Sequence, residues 1–368
     1  MEIKQAIGRV VERRSLSEVE MEQVMEEIMT GAATPAQVAA FITGLRMKGD
    51  EVAEITGAAR VMRRHATRIE TGCGPDEILV DTCGTGGDGA HTFNISTTVA
   101  LVAAAAGIKV AKHGNRSVSS RCGSADVLQA LGVNLELSPA AVGRAVREIG
   151  IGFLFAPLLH KAMKYAIGPR REIGIRTVFN ILGPLTNPAG ATVQLLGVYD
   201  PGLPPLMAAV LQGLGSRQAM VVHGAGGLDE LSLSGENRVA WLKDGEIKEI
   251  VLRPADAGLA EAPLEALAGG GPEENAAIIR ELLAGGKGPR RDVVLLNAAA
   301  LFVTAGRVKD FRAGAGLAAE LIDSGAVAAK LEELVAFSLA KEEPVPPAAA
   351  EGKVSGVNLM QDRYHGCS

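Results

Sequence analysis

The stretch "DTCGTGGDGAHTFNIST", residues 81–97, contains four glycines from Gly84 to Gly89 and directly follows the apolar run "EILV". Gly84, Gly86 and Gly89 satisfy G-x-G-x-x-G, a spacing typical of dinucleotide binding between a strand and a helix. That motif also requires an acidic residue about 20 positions later, where this chain has "IKVAKHGNR". A nucleotide P-loop is excluded because no Gly-Lys-Ser/Thr closes the loop.

What remains is the general property of glycine-rich turns: their bare backbone N–H groups, with those of a helix N-terminus, bind anions. We therefore predict that the loop binds phosphate. The alternative, a tight turn beneath a packed helix, accounts for only one or two of the glycines. The following "NIST" places Asn94, Ser96 and Thr97 at the helix start, where they either cap the helix or hold phosphate and a hard cation.

A second polar stretch, "KHGNRSVSSRCGSAD", follows the next predicted strand. Loops at the carboxyl ends of parallel strands bind ligands, so we expect this strand-end loop to contribute to the same site. The alternative is a solvated basic loop. The candidate residues are Lys112, His113, Asn115, Arg116, Ser119, Ser120 and Ser124.

Two adjacent acids, Asp229 and Glu230, follow the predicted strand "AMVVHG". In a strand they would point to opposite faces, but in a loop both can turn toward one or two cations. Magnesium is the usual cation where phosphates supply the other ligands. An exposed acidic turn is the alternative for this pair.

Composition places these motifs in a large globular chain. At 368 residues the chain exceeds the size at which one core keeps growing, which predicts at least two lobes. The longest apolar runs, residues 99–106 and 293–303, are shorter than the roughly 20 residues of a membrane helix, and "MEIKQAIGRVVERRS" has no apolar signal core, so we expect a cytoplasmic location and no membrane contact. A net charge of −5 gives no general attraction to nucleic acid.

The cysteines show no C-x-x-C spacing, which favours free thiols over a disulfide framework or a zinc site. They are Cys73, Cys83, Cys122 and Cys367.

The first seventy residues have helical periodicity. Ser17 and Glu20 form a predicted capping box for a helix that ends at Gly31, and Thr34-Pro35 begins a second helix. We predict that Asp50 caps a third. The apolar stripes of these helices form either the lobe's own core or a dimer interface.

From Ile78 the pattern changes to alternating strands and helices. The predicted strands are "ILVDT", "IKVA", "VNLEL", "GFLFA", "QLLGVY" and "AMVVHG"; a hairpin turning at Asp244-Gly245 and a helical region from Pro272 follow. Short apolar strands separated by helices predict a mostly parallel sheet covered by helices on both faces, with ligands at its carboxyl edge. Residues 161–188 interrupt this pattern, and we expect them to fold back onto the N-terminal helices.

The motifs "GTGGDG", "TFNIST", "KHGNRSVSS", "GSAD", "GIRTVFNILGPLTNP" and "GLDELS" occur in this order. In them the chain resembles the anthranilate phosphoribosyltransferase family of tryptophan biosynthesis. The resemblance implies transfer of phosphoribose from phosphoribosyl pyrophosphate (PRPP) to the amine of anthranilate, with Mg²⁺ and release of pyrophosphate. It also implies a homodimer formed through the helical lobe.

The implied fold is α/β, of the nucleoside phosphorylase/phosphoribosyltransferase type: a small N-terminal helical lobe and a larger lobe with a mostly parallel central sheet covered by helices. We place the helical lobe at residues 1–70, completed by about 161–190. The α/β lobe, which binds the phosphoribosyl donor, then comprises 71–160 and 191–345, and 346–368 form a tail.

The resemblance also implies site residues. The metal would be held by Ser96, Asp229 and Glu230, and anthranilate by Gly84, Asn115 and Arg170, with Arg171 as the alternative to Arg170. The resemblance implies no defined catalytic residue, and Lys112 and His113 are the candidates. On chemical grounds His113 and His160 are candidate proton carriers, and the alternative for each is a structural or substrate-positioning role. The implied donor site comprises Gly84, Gly87, Asp88, Thr92, Asn94, Ile95, Ser96, Thr97, Lys112, His113, Gly114, Asn115, Arg116, Ser117, Val118, Ser119, Ser120 and Ser124.

Two other functions remain open from the sequence. A pyrimidine nucleoside phosphorylase of the same fold would also use a glycine-rich phosphate loop, but attack by inorganic phosphate needs no metal on a pyrophosphate, so the Asp229-Glu230 pair disfavours it. A non-catalytic relative that binds nucleic acid would need a broad basic groove, which the net charge of −5 and the 3 % aromatic content disfavour.

Overall fold

The computed structural model describes residues 1–74, 76–117 and 121–340. The chain begins with four helices, α1 (Ile3–Val11), α2 (Glu18–Thr30), α3 (Pro35–Lys48) and α4 (Val52–His65). The predicted caps of α2 and α3 are confirmed: Ser17 and Glu20 bond each other's backbone reciprocally, as do Thr34 and Gln37. Gly31 ends α2 in the left-handed conformation, with φ of 79°.

The predicted cap of α4 is wrong. The N-cap is Glu51, whose backbone N–H is bonded at 3.1 Å by the side chain of Glu54. Asp50 lies one residue earlier, and its Oδ1 is buried without a hydrogen-bond partner. Glu54 is fully buried, accepts a hydrogen bond from the Leu16 amide at 2.9 Å and forms an ion pair with Lys48 at 3.0 Å. The carboxylate that organises this end of the lobe is therefore that of Glu54.

Seven strands form one sheet in the order β3-β2-β1-β4-β5-β6-β7. The five strands β3, β2, β1, β4 and β5 are parallel to one another, whereas β6 pairs with β5 and with β7 in antiparallel fashion. The sheet is therefore mostly parallel, as predicted. The hairpin turns at Asp244 and Gly245, both at positive φ, as predicted. The strands are β1 (Leu79–Gly84), β2 (Lys109–Gly114), β3 (Ile151–Phe155), β4 (Val193–Gly197), β5 (Gln218–His223), β6 (Asn237–Lys243) and β7 (Glu246–Leu252).

Helices cover both faces of the sheet. On one face α5 packs against β1 and β2, and α13, nearly all of whose residues are buried, packs against α5, β4 and β5. On the other face α11 packs against β5, β6 and α4. The helices after β1 are α5 (Ile95–Ala105), α6 (Ser124–Ala130), α7 (Pro139–Glu148), α8 (Ala156–Leu159), α9 (Lys164–Ile173), α10 (Phe179–Leu182), α11 (Leu203–Gly213), α12 (Pro272–Leu283), α13 (Pro289–Thr304), α14 (Phe311–Asp323) and α15 (Ala326–Leu339).

Two strand predictions need correction. The segment "VNLEL" is not a strand: Val133 and Leu135 are buried in the cluster that includes α15, and the Asn134 amide bonds the Ser338 hydroxyl at 2.9 Å rather than a neighbouring strand. The alternating pattern therefore reflects packing against a helix. The predicted strand-end loop at Lys112 also begins later, because Lys112, His113 and Gly114 pair with β3 as part of β2.

The helices after β3 return to the start of the chain. α9 packs against α2 and α3, and α10 packs against α4. Arg63 of α4 donates hydrogen bonds to the carbonyls of Leu185 at 2.7 Å and Leu214 at 3.3 Å. One half-buried side chain thus joins the N-terminal helices to two segments around the sheet. Across the described ranges, we find no helix with the length and apolar character of a membrane span.

Candidate functional site

The glycine-rich loop leaves β1 at the carboxyl edge of the sheet. The Thr85 amide donates to the Gly197 carbonyl at 2.9 Å, and the Gly86 amide donates to Asp229 Oδ2 at 2.6 Å. Gly86, Gly87 and Gly89 have φ of 70°, 79° and 74°. These values explain three glycines, because other residues are strained in this conformation.

The middle of this loop presents free hydrogen-bond donors. In the described part of the chain, no acceptor bonds the amides of Gly87, Asp88 or Gly89. The Asp88 carboxylate instead accepts from the Ala90 amide at 3.2 Å and the Asp229 amide at 3.4 Å. Consecutive free amides in a turn of this kind form a concave anion-binding surface.

The N-terminus of α5 lies beside this loop. The Ser96 amide donates to Glu230 Oε1 at 3.0 Å. Asn94 does not cap the helix with its side chain, which bonds the Cys122 carbonyl and Asn275 instead. Thr97 is 1 % exposed, and its Oγ1 has no partner among the described residues. A buried hydroxyl without a partner at a helix N-terminus is suited to an anionic ligand.

Thr92 and Ile95 have less direct roles. Thr92 forms an isolated bridge with Ala268, which ties the end of the loop to the segment before α12. Ile95 is buried, and its amide is bonded to the Phe93 carbonyl at 2.8 Å.

Asp229 and Glu230 lie in a bend after β5, as the sequence predicts, but they are not an exposed acidic turn. Glu230 is 8 % exposed, and burial raises the pKa of its carboxyl to about 7. Burial also raises the pKa of Asp229, and the charges of Asp88 and Glu230 raise it further. Burial therefore disfavours the charged form of both carboxyls, and a cation bound between them would offset that cost.

This donor set fits Mg²⁺. Protein sites usually bind Mg²⁺ through one or two carboxylates and leave other positions to water and phosphate oxygens. No group of three or more His, Cys, Asp or Glu side chains suited to a metal is found in the described ranges. The half-buried Asp229, the buried Glu230 and the neighbouring Ser96 hydroxyl therefore match a cation shared with a phosphorylated ligand rather than a closed protein site.

Glycines from three strand ends surround the acid pair. A Cβ on Gly84, at the end of β1, would overlap the Asp229 carboxylate, and a Cβ on Gly197, at the end of β4, would overlap the Asp229 carbonyl. A Cβ on Gly224, after β5, would overlap the Glu230 carbonyl. Only Gly84 was a candidate from sequence, since Gly197 and Gly224 lie in ordinary strand patterns.

Lys112 lies beneath the glycine loop rather than in solvent. It is 3 % exposed, and its Nζ donates to the Thr82 carbonyl at 2.6 Å and contacts Ser96 Oγ at 3.5 Å. Burial lowers the pKa of its ammonium, and the nearby Asp81 carboxyl opposes that effect. Lys112 is thus placed to hold the end of β1 and the start of α5 together.

His113 and His160 form a buried pair with their Nε2 atoms 3.1 Å apart. Burial lowers the pKa of His113 to about 3 and that of His160 to about 4, so both rings are neutral near pH 7. One ring donates a hydrogen bond and the other accepts it. The His113 amide also donates to Asp81, whose other oxygen accepts from Asn187, a buried residue not among the sequence candidates.

The remaining polar residues surround the start of α6. The Asn115 carbonyl accepts from the Ser124 hydroxyl at 3.3 Å, and a Cβ on Gly114 would overlap that hydroxyl. Arg116 pairs with Asp126 at 2.8 Å and lies over the Phe155 ring. The Ser117 amide also bonds Asp126. Val118, Ser119 and Ser120 lie outside the described residues.

Arg170 and Arg171 lie in the last turn of α9. The Arg170 guanidinium is half-buried and lies 5.1 Å from the centroid of the Phe179 ring, whereas Arg171 is exposed. Burial lowers the pKa of Arg170, which keeps its charge at neutral pH.

Sequence reasoning missed Arg176, which contacts the glycine loop. It lies in the quoted motif "GIRTVFN", but spacing alone did not connect it with residue 87. Its Nη2 donates to the Gly87 carbonyl at 2.5 Å. Taken together, the carboxyl edge of the sheet places free amides, a helix N-terminus, the half-buried Asp229 and the buried Glu230 side by side, an arrangement suited to a phosphorylated ligand with a divalent cation.

Family comparisons agree with this arrangement. The α/β domain model of a glycosyl transferase family matches residues 76–328, and the helical bundle domain model of a glycosyl transferase family matches residues 4–66. The fold and site are thus those of a two-domain glycosyl transferase.

Individual relatives narrow the class. The anthranilate phosphoribosyltransferase of Desulfotalea psychrophila is 59 % identical over 338 residues, which cover 92 % of this chain and 97 % of that protein. The crystal structure of the enzyme from Thermus thermophilus matches with a TM-score of 0.86 and 48 % identity, over 91 % of this chain and 99 % of that one. The chain therefore belongs to the anthranilate phosphoribosyltransferase family.

A more distant structure shows bound ligands. The yeast anthranilate phosphoribosyltransferase in complex with PRPP and Mg matches with a TM-score of 0.81 and 29 % identity, over 91 % of this chain and 97 % of that one.

Proposed function

We propose that this protein transfers the phosphoribosyl group of PRPP to the amine of anthranilate and releases pyrophosphate. The observation that carries this function is the contact between the glycine loop and the acid pair: Gly86 bonds Asp229 while the next three amides remain free. A diphosphate with a bound divalent cation needs both features. The family membership and the yeast complex with PRPP and Mg support the same conclusion.

In this proposal the donor lies against the loop and the α5 N-terminus. The free amides of Gly87, Asp88 and Gly89 bind phosphate oxygens, and Thr97 supplies a hydroxyl. Asp229, Glu230 and Ser96 hold Mg²⁺, which when bound neutralises charge on the departing pyrophosphate. Lys112 keeps Ser96 and the end of β1 in register from below.

The proposed acceptor site is formed by the last turn of α9, which precedes Arg176 and its contact with Gly87. Arg170, oriented by Phe179, binds the carboxylate of anthranilate, and Asn115 and Gly84 contact the same molecule. A planar guanidinium can bind a carboxylate through two charge-assisted hydrogen bonds. The buried histidines remain neutral and position backbone rather than carry protons.

The chemistry requires no strong base. An aromatic amine is neutral near pH 7 and already nucleophilic, so the residues contribute placement of the amine against the anomeric carbon and electrostatic stabilisation of the leaving group. This agrees with a site that presents amides and acids rather than a nucleophile and a base.

A fluorescence assay tests the function. The protein is mixed with PRPP, MgCl₂ and anthranilate, and the loss of anthranilate fluorescence is followed. A parallel reaction replaces these substrates with a pyrimidine nucleoside and inorganic phosphate. A separate experiment measures binding of the protein to single-stranded DNA. Loss of fluorescence that requires all three components supports the proposal. Phosphorolysis of the nucleoside, or DNA binding without transfer, would overturn it.

We further propose a cytoplasmic homodimer that associates through the helical lobe, made of residues 1–70 with about 161–190. The packing of α9 on α2 and α3 supports this division. Exposed apolar side chains on the N-terminal helices, Val11, Val19 and Met47, support an interface there. Sedimentation of the full chain, compared with a Met47→Glu variant, tests the dimer: the variant should shift toward monomer.

A further inference from the structure

Arg176 contacts the glycine loop from the segment between α9 and α10. Its Nη2 donates to the Gly87 carbonyl at 2.5 Å, and its Cζ lies 4.4 Å from the centroid of the Tyr199 ring. A Cβ on Gly87 would lie 3.6 Å from the same Nη2, so the guanidinium runs along the side that glycine leaves bare. None of the roles proposed above uses this residue.

The hydrogen bond determines where the next amide points. The peptide between Gly87 and Asp88 is trans, so the Gly87 carbonyl and the Asp88 N–H point in opposite directions. By holding the carbonyl, Arg176 directs the Asp88 N–H away from itself. That N–H has no acceptor in the described ranges.

Tyr199 supports the arginine from a fixed place. Its amide donates to Thr85 Oγ1 at 3.2 Å, and the Thr85 amide donates to the Gly197 carbonyl at 2.9 Å. The backbone that carries the Tyr199 ring is therefore fixed relative to the first residues of the same loop. A guanidinium stacked on such a ring loses less conformational freedom when it forms a hydrogen bond.

We propose that Arg176 is a positioning residue for the phosphorylated substrate. Supported by Tyr199, it holds the Gly87 peptide so that the Asp88 N–H is free and directed at a phosphate group. The inference rests on the proposed function of the loop. It predicts that Arg176 acts through loop geometry and not through its own charge on the phosphate.

Calorimetric titration of the full chain with PRPP and MgCl₂ tests this inference. Arg176→Ala should raise the donor Kd about 10-fold, the effect expected when one charge-assisted hydrogen bond is lost. Arg176→Lys should recover part of the affinity, because an ammonium can donate to the carbonyl but does not stack in the same way. Tyr199→Leu keeps the arginine and should weaken donor binding in the same direction. Lys248→Ala, on the exposed edge strand β7, is the control for lost positive charge.

Two further measurements separate positioning from alternatives. The turnover rate at saturating PRPP should stay within about 2-fold of wild type, so that the effect is in KM. The ratio of wild-type to Arg176→Ala affinity should be the same at low and high salt, because a lost contact between opposite charges would be screened. A ratio that falls steeply with salt would show that Arg176 binds phosphate directly and would overturn the proposal.

The outcomes also separate this inference from the proposed function. If the wild type does not bind PRPP, the function assigned to the loop is wrong and the inference fails with it. If the wild type binds and a folded Arg176→Ala variant binds equally well, the function stands and only the role of Arg176 is overturned.

Discussion

Asp229 accepts a hydrogen bond of 2.6 Å from the amide of Gly86, so the acid pair and the glycine loop form one unit. Glu230 makes the corresponding bond of 3.0 Å to the amide of Ser96 at the start of α5. Each acid thus orients one element that presents amides to an anion. The groups proposed to hold a cation and those proposed to hold phosphate are therefore positioned by the same two side chains.

Removing both acidic charges should weaken magnesium activation. In the double variant Asp229→Asn, Glu230→Gln, the amide oxygens can still accept the bonds from Gly86 and Ser96, so the backbone should keep its geometry. We expect the Mg²⁺ concentration for half-maximal rate to rise at least 10-fold, because the carboxylates are the strongest ligands available. Steady-state rates across a MgCl₂ titration measure this, with the exposed Glu249→Gln as control. A titration curve identical to that of the wild type would refute the metal assignment.

A side chain at Gly87 should weaken donor binding by distorting the loop. Gly87→Val places a branched side chain at a φ of 79°, where it costs about 1–2 kcal/mol, and on the side of the loop where the Arg176 guanidinium lies, so the free amides shift from their position. We expect a donor KM raised at least 10-fold in a protein that still folds. Gly215→Val is the matched control, since Gly215 has a φ of 86° and open space around it at the other end of the sheet. The assignment of the glycine loop to donor binding is wrong if both variants lose stability alike and neither changes the donor KM.

Loss of Arg170 should impair acceptor binding alone. Truncating one partner of a desolvated charge pair costs roughly 2–5 kcal/mol, so Arg170→Ala should raise the anthranilate KM at least 30-fold and leave the donor KM nearly intact. Aniline, which lacks the carboxylate, is the control substrate: the wild type should use it poorly, and the variant should use it equally poorly. If both acceptors lose the same factor, Arg170 does not bind the carboxylate, and Arg171 becomes the candidate.

Asp50 should make the helical lobe sensitive to pH. Burial, with the nearby Glu54 charge, raises the Asp50 pKa from 3.8 to about 6. The folded state therefore binds the proton more tightly than the unfolded state, so the stability from this group is complete below about pH 4 and is lost as pH rises to about 6. Relative to wild type, the free energy of unfolding of Asp50→Asn should therefore rise as the pH increases from 3.5 to 7.5. The rise should be at most about 3 kcal/mol, since one pKa unit is worth ~1.4 kcal/mol.

Urea unfolding at several pH values measures the Asp50 effect. The same charge removal at an exposed site, Asp76→Asn, is the matched control. A pH-independent difference for Asp50→Asn would show that the Asp50 carboxyl is not destabilised in the folded protein.

Local signals made much of the fold predictable. The capping boxes at Ser17 and Thr34, the turn at Asp244-Gly245 and five of the six predicted apolar strands depend on neighbouring residues, and these are confirmed. The prediction of a strand at "VNLEL" was wrong because apolar and polar residues alternate in the same way whether a segment pairs with a strand or packs against a helix. Here α15 provides the packing. The prediction that Asp50 caps α4 was wrong because Glu51 and Glu54 form the capping interaction at that helix start.

At the site, the motifs indicated the loop and the acids, but contacts between distant segments could not be derived from spacing. Arg176 lies 89 residues from Gly87, and Asn187 lies 106 residues from Asp81. The burial of Lys112 could not be predicted from the sequence either, since a lysine after an apolar strand ordinarily points to solvent. These contacts depend on the order β2-β1-β4 in the sheet, which brings distant strands together.

The glycines that surround the acid pair limit how such a chain can diversify. Alanine at position 84, 197 or 224 would meet the backbone or carboxylate of Asp229 or Glu230, so single substitutions there cannot reshape the cation site without displacing it. The proposed acceptor residue Arg170, by contrast, lies in the last turn of α9 over the Phe179 ring, and it is not among the nearest atoms that a Cβ on any of these glycines would meet. In the proposed site, a lineage or a protein engineer can therefore change acceptor binding in smaller steps than binding of the phosphoribosyl donor.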